Sequence, residues 1–235
     1  MLPLLYIVRM DVEPAYLPEF VSWYDTRHAP DLIRAGFHSC HAYHSCELAP
    51  FICNVYEIPS LEIFSSDAYV QVRHDDRQLT EQVLHKISNH SNTIFAQDVV
   101  VGIPARAFEP DARPSRSGAV TAPVITTVRF DIDESRAEDL KTWFRDVEAN
   151  AQSRRPGWLR SRLAHQSGKH PMFPSKQAQW QVLTEWASLD GARSEGAAEQ
   201  VVERYSLAFG GAIRNAQHHV AALNATLLNS NSWTV

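Results

Sequence analysis

The chain carries one series of short motifs twice, in the same order, and this repeat limits the possible fold more than any other feature. Residues 8–12, VRMDV, return as residues 128–132, VRFDI. The pair Trp23-Tyr24 corresponds to Trp143-Phe144, and Gly36-Phe37 to Gly157-Trp158. Ordered self-similarity of this kind indicates two copies of one supersecondary unit. We therefore expect two units of about 110 residues each.

Hydrophobic periodicity predicts the same order of elements, β-α-β-β-α-β, in both copies. In the first copy we expect strands at 4–12, 37–46, 51–58 and 94–101, a helix that begins at residue 13 and ends or kinks at the Ala29-Pro30 step, and a helix over 67–89. In the second we expect strands at 123–132, 158–166, 178–186 and 221–229, and helices over 135–153 and 195–217. This order is the ferredoxin-like split motif. The predicted fold class is α+β, with tandem ferredoxin-like repeats packed sheet to sheet as a barrel.

A proline-containing segment separates the two predicted units. Residues 102–121 include Pro104, Pro110 and Pro114 and offer little that could pack, which is typical of a linker. The expected boundaries are therefore 1–101 for the first ferredoxin-like half and 122–235 for the second, with 102–121 as the linker.

Composition excludes several classes of function. The formal net charge of −5 disfavours nucleic-acid binding, which needs a basic surface. No apolar run approaches the roughly 18 residues of a membrane span, and the start of the chain has the pattern of a strand. The three cysteines, Cys40, Cys46 and Cys53, match neither a disulfide framework nor the spacing of a zinc site. We expect a cytoplasmic protein without a metal.

Strand alternation predicts an unusually polar inner sheet face. On the first strand, Tyr6, Val8 and Met10 suit the helix side. The residues expected to point inward are Arg9, Phe37, Ser39, His41, Tyr43, Glu57, Arg129, Trp158, Arg160, Arg162 and Glu185. Buried charges need partners, so we expect the repeated ion pairs Arg9–Glu57 and Arg129–Glu185.

Arg160 and Arg162 have no repeated acidic partner in the sequence. Two interpretations stay open for them. They could bind a substrate carboxylate or phenolate, because guanidinium forks bind planar anions well. They could equally lie on a solvent-exposed edge strand.

One segment differs in chemical character between the copies. Residues 23–30 read WYDTRHAP, whereas residues 143–150 read WFRDVEAN. His28 lies four residues after Tyr24, on one helical stripe, near the expected helix end. A histidine there suits general acid–base chemistry; the alternative is a histidine that stabilises the helix C-terminus. Trp23 and Tyr24 suit the core, although the Tyr24 hydroxyl could orient His28.

Residues 23–32, followed by Gly36-Phe37, resemble the dimeric α+β barrel superfamily, and within it the EthD-like proteins. The resemblance implies two ferredoxin-like units around a barrel, here within one polypeptide. It also implies activities such as cofactor-independent monooxygenases, dehydratases, isomerases, cyclases and lyases, with haem-binding branches. Aromatic or polyketide-like substrates recur in this superfamily. The helix-end histidine of the family corresponds to His28.

The combined expectation is a cofactor-independent enzyme acting on a small, anionic, aromatic or polyketide-like substrate. It would be a lyase, dehydratase or isomerase with its cavity between the two halves. The expected catalytic residues are His28, Tyr43 and His41, and the expected substrate-binding residues are Arg9, Arg129, Arg160, Arg162, Tyr24 and Trp158. The alternatives are a monooxygenase, cofactor-free or haem-dependent, and a non-enzymatic small-molecule-binding or stress-response barrel. A homodimer is also compatible with the exposed edge strands expected of each half.

Overall fold

The computed structural model describes residues 2–47, 49–102, 120, 122–173, 175 and 178–228. The predicted linker therefore lies almost entirely outside the described residues. The first unit consists of β1 (Leu4–Val12), α1 (Leu17–Trp23), a π-helical turn (Tyr24–His28), α2 (Ala29–Arg34), β2 (Ser39–Ser45), β3 (Ile52–Ile58), a 3-10 turn (Leu61–Ser65), α3 (Asp67–Asp75), α4 (Arg77–Leu84) and β4 (Ile87–Gly102).

The second unit repeats this order. It consists of β5 (Val124–Asp131), a 3-10 turn (Glu134–Arg136), α5 (Ala137–Trp143), a π-helical turn (Phe144–Glu148), α6 (Ala149–Ser153), β6 (Trp158–Gln166), β7 (Trp180–Trp186), α7 (Leu189–Arg193), α8 (Ala198–Phe209) and β8 (Arg214–Leu228). No described helix is both long enough and apolar enough to cross a membrane.

The first helix of each unit is interrupted at the same place by a π-helical turn. In the first unit, the N–H of Ala29 bonds to the carbonyl of Tyr24, five residues earlier, and α2 then continues to Arg34. Of the end or kink expected at the Ala29-Pro30 step, the structure shows no end: the helix is interrupted by the π-helical turn and then continues. Pro30 sits in the first turn of α2, where a residue without an N–H is tolerated.

The eight strands close into a barrel in the order β1-β3-β2-β8-β5-β7-β6-β4. The two units are joined by two antiparallel pairs, β4 with β6 and β2 with β8. The last strand of each unit takes part in one of these pairs and is longer than predicted: β4 has 16 residues and β8 has 15. The predicted α+β architecture, two ferredoxin-like repeats packed as a barrel, is confirmed.

Buried side chains line and occupy the barrel lumen. Its apolar part is a cluster of buried residues that includes Leu5, Ile7, Tyr43, Val55, Phe95, Ile125 and Leu183. Its polar part includes all four predicted inward arginines, each at most 5% exposed. The interpretation of Arg160 and Arg162 as residues of an exposed edge is therefore wrong.

The predicted repeated ion pairs are replaced by an asymmetric arrangement. Glu185 accepts hydrogen bonds from Arg160 Nε (2.7 Å) and Arg162 Nε (3.0 Å), both on the neighbouring strand β6. Arg9 instead donates to Thr127 Oγ1 (2.5 Å), and Arg129 to Gln217 Oε1 (2.9 Å). The sequence repeat could not show this, because β6 carries arginines where β2 has Ser39 and His41.

The two inward glutamates have opposite electrostatic environments. Burial would raise the pKa of Glu185, but Arg162 and Arg160 outweigh it and lower that pKa below its ordinary value. Burial does raise the pKa of Glu57, which accepts a hydrogen bond from Ser39 at 2.7 Å. Glu185 is therefore the anion that balances the buried arginines of β6.

This difference predicts unequal effects of two matched substitutions. Glu185→Gln should lower the free energy of unfolding by about 3 kcal/mol or more, because it leaves two buried guanidinium groups without their carboxylate. Glu57→Gln should change it by less than about 1 kcal/mol, because burial already disfavours the charged form of Glu57. Urea denaturation at pH 7 measures both values. Equal losses would contradict the asymmetry.

Candidate active site

A cavity of about 610 Å³ lies in the first unit, between the outer face of its sheet and its helices. The sequence predicts a cavity between the two halves; this cavity lies instead beneath the helices of the first unit, and the second unit contributes part of its wall. Most of the cavity wall is apolar or aromatic. The wall includes Val8, Met10, Phe20, Trp23, Tyr24, Leu32, Tyr56, Tyr69, Val83 and Ile87, and its polar members include His28, Arg73, Asp76, His90, Asn92 and His170.

His28 and Asp76 form a hydrogen-bonded pair on this wall. His28 ends the π-helical turn, and its Nδ1 lies 2.9 Å from Asp76 Oδ2. Asp76 lies between α3 and α4 and is 2% exposed, and its other oxygen is 3.4 Å from Arg27 Nε. A carboxylate oxygen accepts the Nδ1–H, so the lone pair of a neutral His28 is on Nε2. Nε2 has no hydrogen-bond partner among the described residues.

Aromatic rings fix the orientation of the His28 imidazole. Its ring centroid lies 4.7 Å from that of Trp23 and 5.4 Å from that of Tyr24. The Tyr24 hydroxyl is 3.8 Å from Cys40 Sγ, so it is Asp76, not Tyr24, that hydrogen-bonds the imidazole. A buried carboxylate behind a histidine is the arrangement that orients general bases in enzymes.

The second unit contributes a histidine to the cavity of the first. His170, in the loop after β6, stacks on Tyr6 with ring centroids 5.5 Å apart and 8° between the planes. Its Nδ1 accepts the N–H groups of Met172 and Phe173, each at 3.2 Å. Its Nε2–H therefore donates to Tyr69 Oη at 2.9 Å. Burial, with smaller contributions from Arg73 and His90, lowers the pKa of His170 to about 4.

Two tyrosine hydroxyls on the cavity wall keep a proton that they can donate. Tyr69 Oη accepts from His170, and Tyr6 Oη accepts from Asn92 Nδ2 at 2.7 Å. Burial raises the pKa of Tyr6, and it raises the pKa of Tyr69 to about 12, so both hydroxyls stay protonated at neutral pH. Two further polar atoms of wall residues, Trp23 Nε1 and Asn92 Oδ1, are buried without a hydrogen-bond partner.

A polar network occupies the equivalent place in the second unit. Glu148 stands where the first unit has His28, and it is 2% exposed. Gln152 Nε2 donates to Glu148 Oε1 (2.8 Å) and to Glu195 Oε1 (2.9 Å), and Arg204 donates to both carboxylates. Both carboxylates are thus paired with Arg204, although Glu195 Oε2 makes no hydrogen bond.

The predicted site residues divide between two faces of the sheet. His28 and Tyr24 line the cavity. His41, Tyr43, Arg9, Arg129, Arg160 and Arg162 lie in the lumen, behind the sheet, and are not among the cavity-lining residues. Tyr43 donates to the carbonyl of Ala122 (2.9 Å), and burial lowers the pKa of His41 to about 4. Catalytic or binding roles for these six residues stay predictions.

Two residues predicted to point inward are on the outer face. Phe37 belongs to the cluster beneath the helices of the first unit, where it packs against Tyr56 at 5.6 Å. The register of β6 shifts between Trp158 and Arg160, and this bulge turns Trp158 outward, where its Nε1 donates to Ser161 Oγ (2.9 Å). Phe37 precedes the first residue of β2, so alternation along that strand does not govern it.

Sequence reasoning missed Asp76, Tyr69, Asn92 and His170. Asp76 and Tyr69 fall within what was read as one polar helix over 67–89, and nothing in that pattern marks the break at Asp76. The sequence contains one signal for His170: the loop over 168–176 is longer than the corresponding loop around residues 48–50 of the first copy. Loops of this kind on rigid scaffolds often form the walls of functional sites.

No family model matches the chain, and no curated protein is similar to it in sequence. Solved structures are similar in fold. An anthrone oxidase-like protein superposes with a TM-score of 0.64 at 11% identity, covering 100% of this chain and 97% of that one. A protein of Lactobacillus acidophilus NCFM that bears the name of a monooxygenase gives 0.56 at 10% identity, with 97% of each chain covered.

A haem-binding protein from Thermus thermophilus gives a TM-score of 0.50 at 11% identity, with 95% of this chain and 92% of that one covered. At such identities these likenesses establish the fold alone. That fold is a barrel of two ferredoxin-like units within one chain, as in dimeric α+β barrel proteins. The finer resemblance to EthD-like proteins stays a prediction.

The neutral state of His170 predicts a specific pH dependence of stability. Its pKa in the folded protein, about 4, is below the unfolded value of about 6.5. The unfolded state therefore binds the extra proton, and stability should fall as the pH drops from 6.5 to 4. This histidine should contribute a slope of up to about 1.4 kcal/mol per pH unit.

Urea denaturation between pH 7 and pH 4 tests this slope. His170→Gln keeps an N–H donor for Tyr69 but cannot titrate, so its slope should be shallower than that of the wild type. The exposed His85 provides the control, and His85→Gln should retain the wild-type slope. Parallel profiles for the wild type and His170→Gln would show that His170 is not held neutral.

Proposed function

We propose that the protein is an enzyme that removes a proton from a planar, hydroxylated aromatic or polyketide-like substrate, with His28 as the general base. The observation that carries this proposal is the His28–Asp76 pair on the wall of a largely apolar cavity. The copy without this pair, the second unit, has its equivalent place occupied by Glu148 and Arg204. The proposal therefore assigns chemistry to the first unit and support to the second.

The proposed step begins at His28 Nε2. The Asp76 carboxylate holds the Nδ1–H, and Nε2 takes a proton from an acidic C–H or O–H of the substrate. The positive charge that forms on the imidazole is stabilised by Asp76, and the substrate is left as an enolate or phenolate. In this proposal the hydroxyl groups of Tyr6 and Tyr69, which line the same cavity, donate their protons to that oxygen and stabilise the developing negative charge.

The proton on His28 then completes the reaction. Its return to a different carbon of the substrate gives an isomer. Its transfer to a leaving hydroxyl group releases water and gives a dehydrated product. Both outcomes belong to the isomerase or lyase class, and neither needs an oxidant.

The cavity supports an aromatic substrate of modest size. A volume of about 610 Å³ is typical of small-molecule sites, and rings of Phe20, Trp23, Tyr56 and Tyr69 line it. The four arginines considered as anion-binding residues lie behind the sheet. The proposed substrate therefore enters as a neutral or weakly acidic ring compound, and its negative charge forms during the reaction.

A monooxygenase is the second candidate, because the same deprotonation produces a carbanion that molecular oxygen can attack. A cofactor-free reaction of this kind would use the same residues. Haem is the other route: His28 Nε2 would hold its iron, and Asp76 would keep its hydrogen bond to the other ring nitrogen, as is usual for metal-bound histidines. Bound haem would supply oxygen activation. The described residues contain no cluster of three His, Cys, Asp or Glu suited to a metal ion.

Deuterium exchange under nitrogen tests the shared first step. The probe is 1,8-dihydroxyanthrone in D₂O, with loss of the acidic C–H signal followed by NMR and corrected for spontaneous exchange. His28→Asn should reduce the protein-catalysed rate by about 10²- to 10⁴-fold, the usual contribution of a general base. Asp76→Asn should reduce it by up to about 10⁴-fold, because an amide in place of the carboxylate favours the tautomer in which Nε2 carries the proton. His85→Asn, outside the cavity, should match the wild type.

The same variants separate the candidate reactions. Oxygen uptake that depends on His28, in protein without a haem absorption band, would assign a cofactor-free monooxygenase. A strong band near 400 nm after haem addition, lost in His28→Asn, would assign the haem-dependent one. Equal exchange rates in the wild type and His28→Asn would overturn the proposal. Unaltered binding of the anthrone by both would then favour the non-enzymatic binding barrel.

A further inference from the structure

Two arginines reach into the barrel lumen from opposite walls. Arg9 is on β1 and Arg129 on β5, which are four positions apart in the closed order of eight strands. Arg9 Nη2 donates to Thr127 Oγ1 on the opposite wall at 2.5 Å, so its guanidinium crosses the lumen. The two arginines are equivalent positions of the internal repeat. The duplication therefore brings two like charges to one end of the barrel.

Most donors of these two guanidinium groups have no partner. Nε and Nη1 of Arg9, and Nε and Nη1 of Arg129, are buried without a hydrogen bond. Gln181, which pairs with Arg129 across the sheet, leaves both its amide atoms unbonded as well. Arg9, Arg129 and Gln181 are 1%, 4% and 1% exposed. A buried donor left unpaired is costly, and a buried charge left unpaired more so.

The positive charge at this end of the barrel is not balanced by a described carboxylate. Glu57 and Glu185 lie four residues away along the strand pairs, about 13 Å at the usual rise. Asp11 and Asp131, two residues beyond the arginines, accept hydrogen bonds from the Phe51 and Gln179 amides, and from Asn89 and Asn215.

The effect of this excess charge reaches neighbouring groups. Burial and the charge of Arg9 lower the pKa of Arg129 to about 9. Burial, Arg9 and Arg129 lower the pKa of His219, which lies on β8 beside them, to about 3. The third basic group at this end therefore stays neutral. It donates its Nε2–H to the carbonyl of Pro50 at 3.0 Å.

We propose that Arg9, Arg129 and Gln181 form a binding site for a small oxyanion, phosphate, sulfate or a carboxylate, inside the barrel. The unpaired Nε and Nη1 leave a donor on each edge of both guanidinium groups, and such donors form charge-assisted hydrogen bonds with the oxygens of an oxyanion. The Gln181 amide nitrogen supplies a further donor. An internal water could satisfy a donor but could not balance the charge. The site is on the opposite face of the sheet from His28 and is independent of the proposed function.

The test compares the wild type with Arg129→Met and Arg9→Met, which remove one charge each while keeping an extended apolar side chain. The exposed Arg145 supplies the control, Arg145→Met. Each protein is dialysed into chloride buffer and then melted in chloride, phosphate, sulfate or acetate at equal ionic strength. The anions released on denaturation of dialysed protein are measured by ion chromatography.

When the preferred oxyanion is present at about 100 times its Kd, the Tm of the wild type and of Arg145→Met should rise by about 5 °C. Arg129→Met and Arg9→Met should lose that rise. The ranking of phosphate, sulfate and acetate identifies the ligand class. A tightly bound oxyanion could survive dialysis and leave no further Tm shift to observe. In that case, denaturation should release one oxyanion per chain from the wild type but none from Arg129→Met, which would also support the proposal. Equal shifts in all four proteins, or neither shift nor release in the wild type, would overturn the proposal.

Discussion

The closure of the barrel by its two longest strands determines where chemistry can occur. β4 pairs with β6 and β8 pairs with β2, so the free edges of both units pair with each other. With the ring closed, the inner face of every strand is buried against the opposite wall, and buried side chains line and occupy the lumen. A site for an organic substrate then needs the outer face of a sheet, beneath the helices. The first unit has a cavity there, whereas in the second unit the paired side chains of Glu148 and Arg204 occupy the equivalent place.

The two copies share a scaffold but differ in what one helix position carries. Both have a π-helical turn that ends in a polar residue facing the sheet, His28 in one and Glu148 in the other. His28 keeps a free ring nitrogen because Asp76 occupies the other, whereas Glu148 is fully engaged by Gln152 and Arg204. The second unit still takes part in the site, since its loop inserts His170 between Tyr6 and Tyr69. The second unit, which lacks the His28–Asp76 pair, therefore still forms part of the cavity wall.

The repeat and strand alternation predicted the order of elements, the closed barrel and the inward direction of Arg9, Arg129, Arg160 and Arg162. They could not predict which side chain each arginine meets, because pairing depends on strand register and on contacts across the lumen. They also could not reveal Asp76, because a single aspartate at a helix break has no sequence signature. The position of the cavity differs from the expectation for a related reason. A polar inner face predicts the wall of a cavity, whereas barrel closure buries the charges of that face.

The most direct measurement of the central claim is the position of a bound aromatic ligand. A crystal structure with a hydroxylated anthraquinone, a flat and unreactive analogue of the proposed substrates, gives that position. The account predicts that the rings lie in the first unit between the sheet and α1–α4, with a ligand oxygen within hydrogen-bond distance of His28 Nε2. Electron density for the ligand in the barrel lumen, or beneath the helices of the second unit, would contradict it.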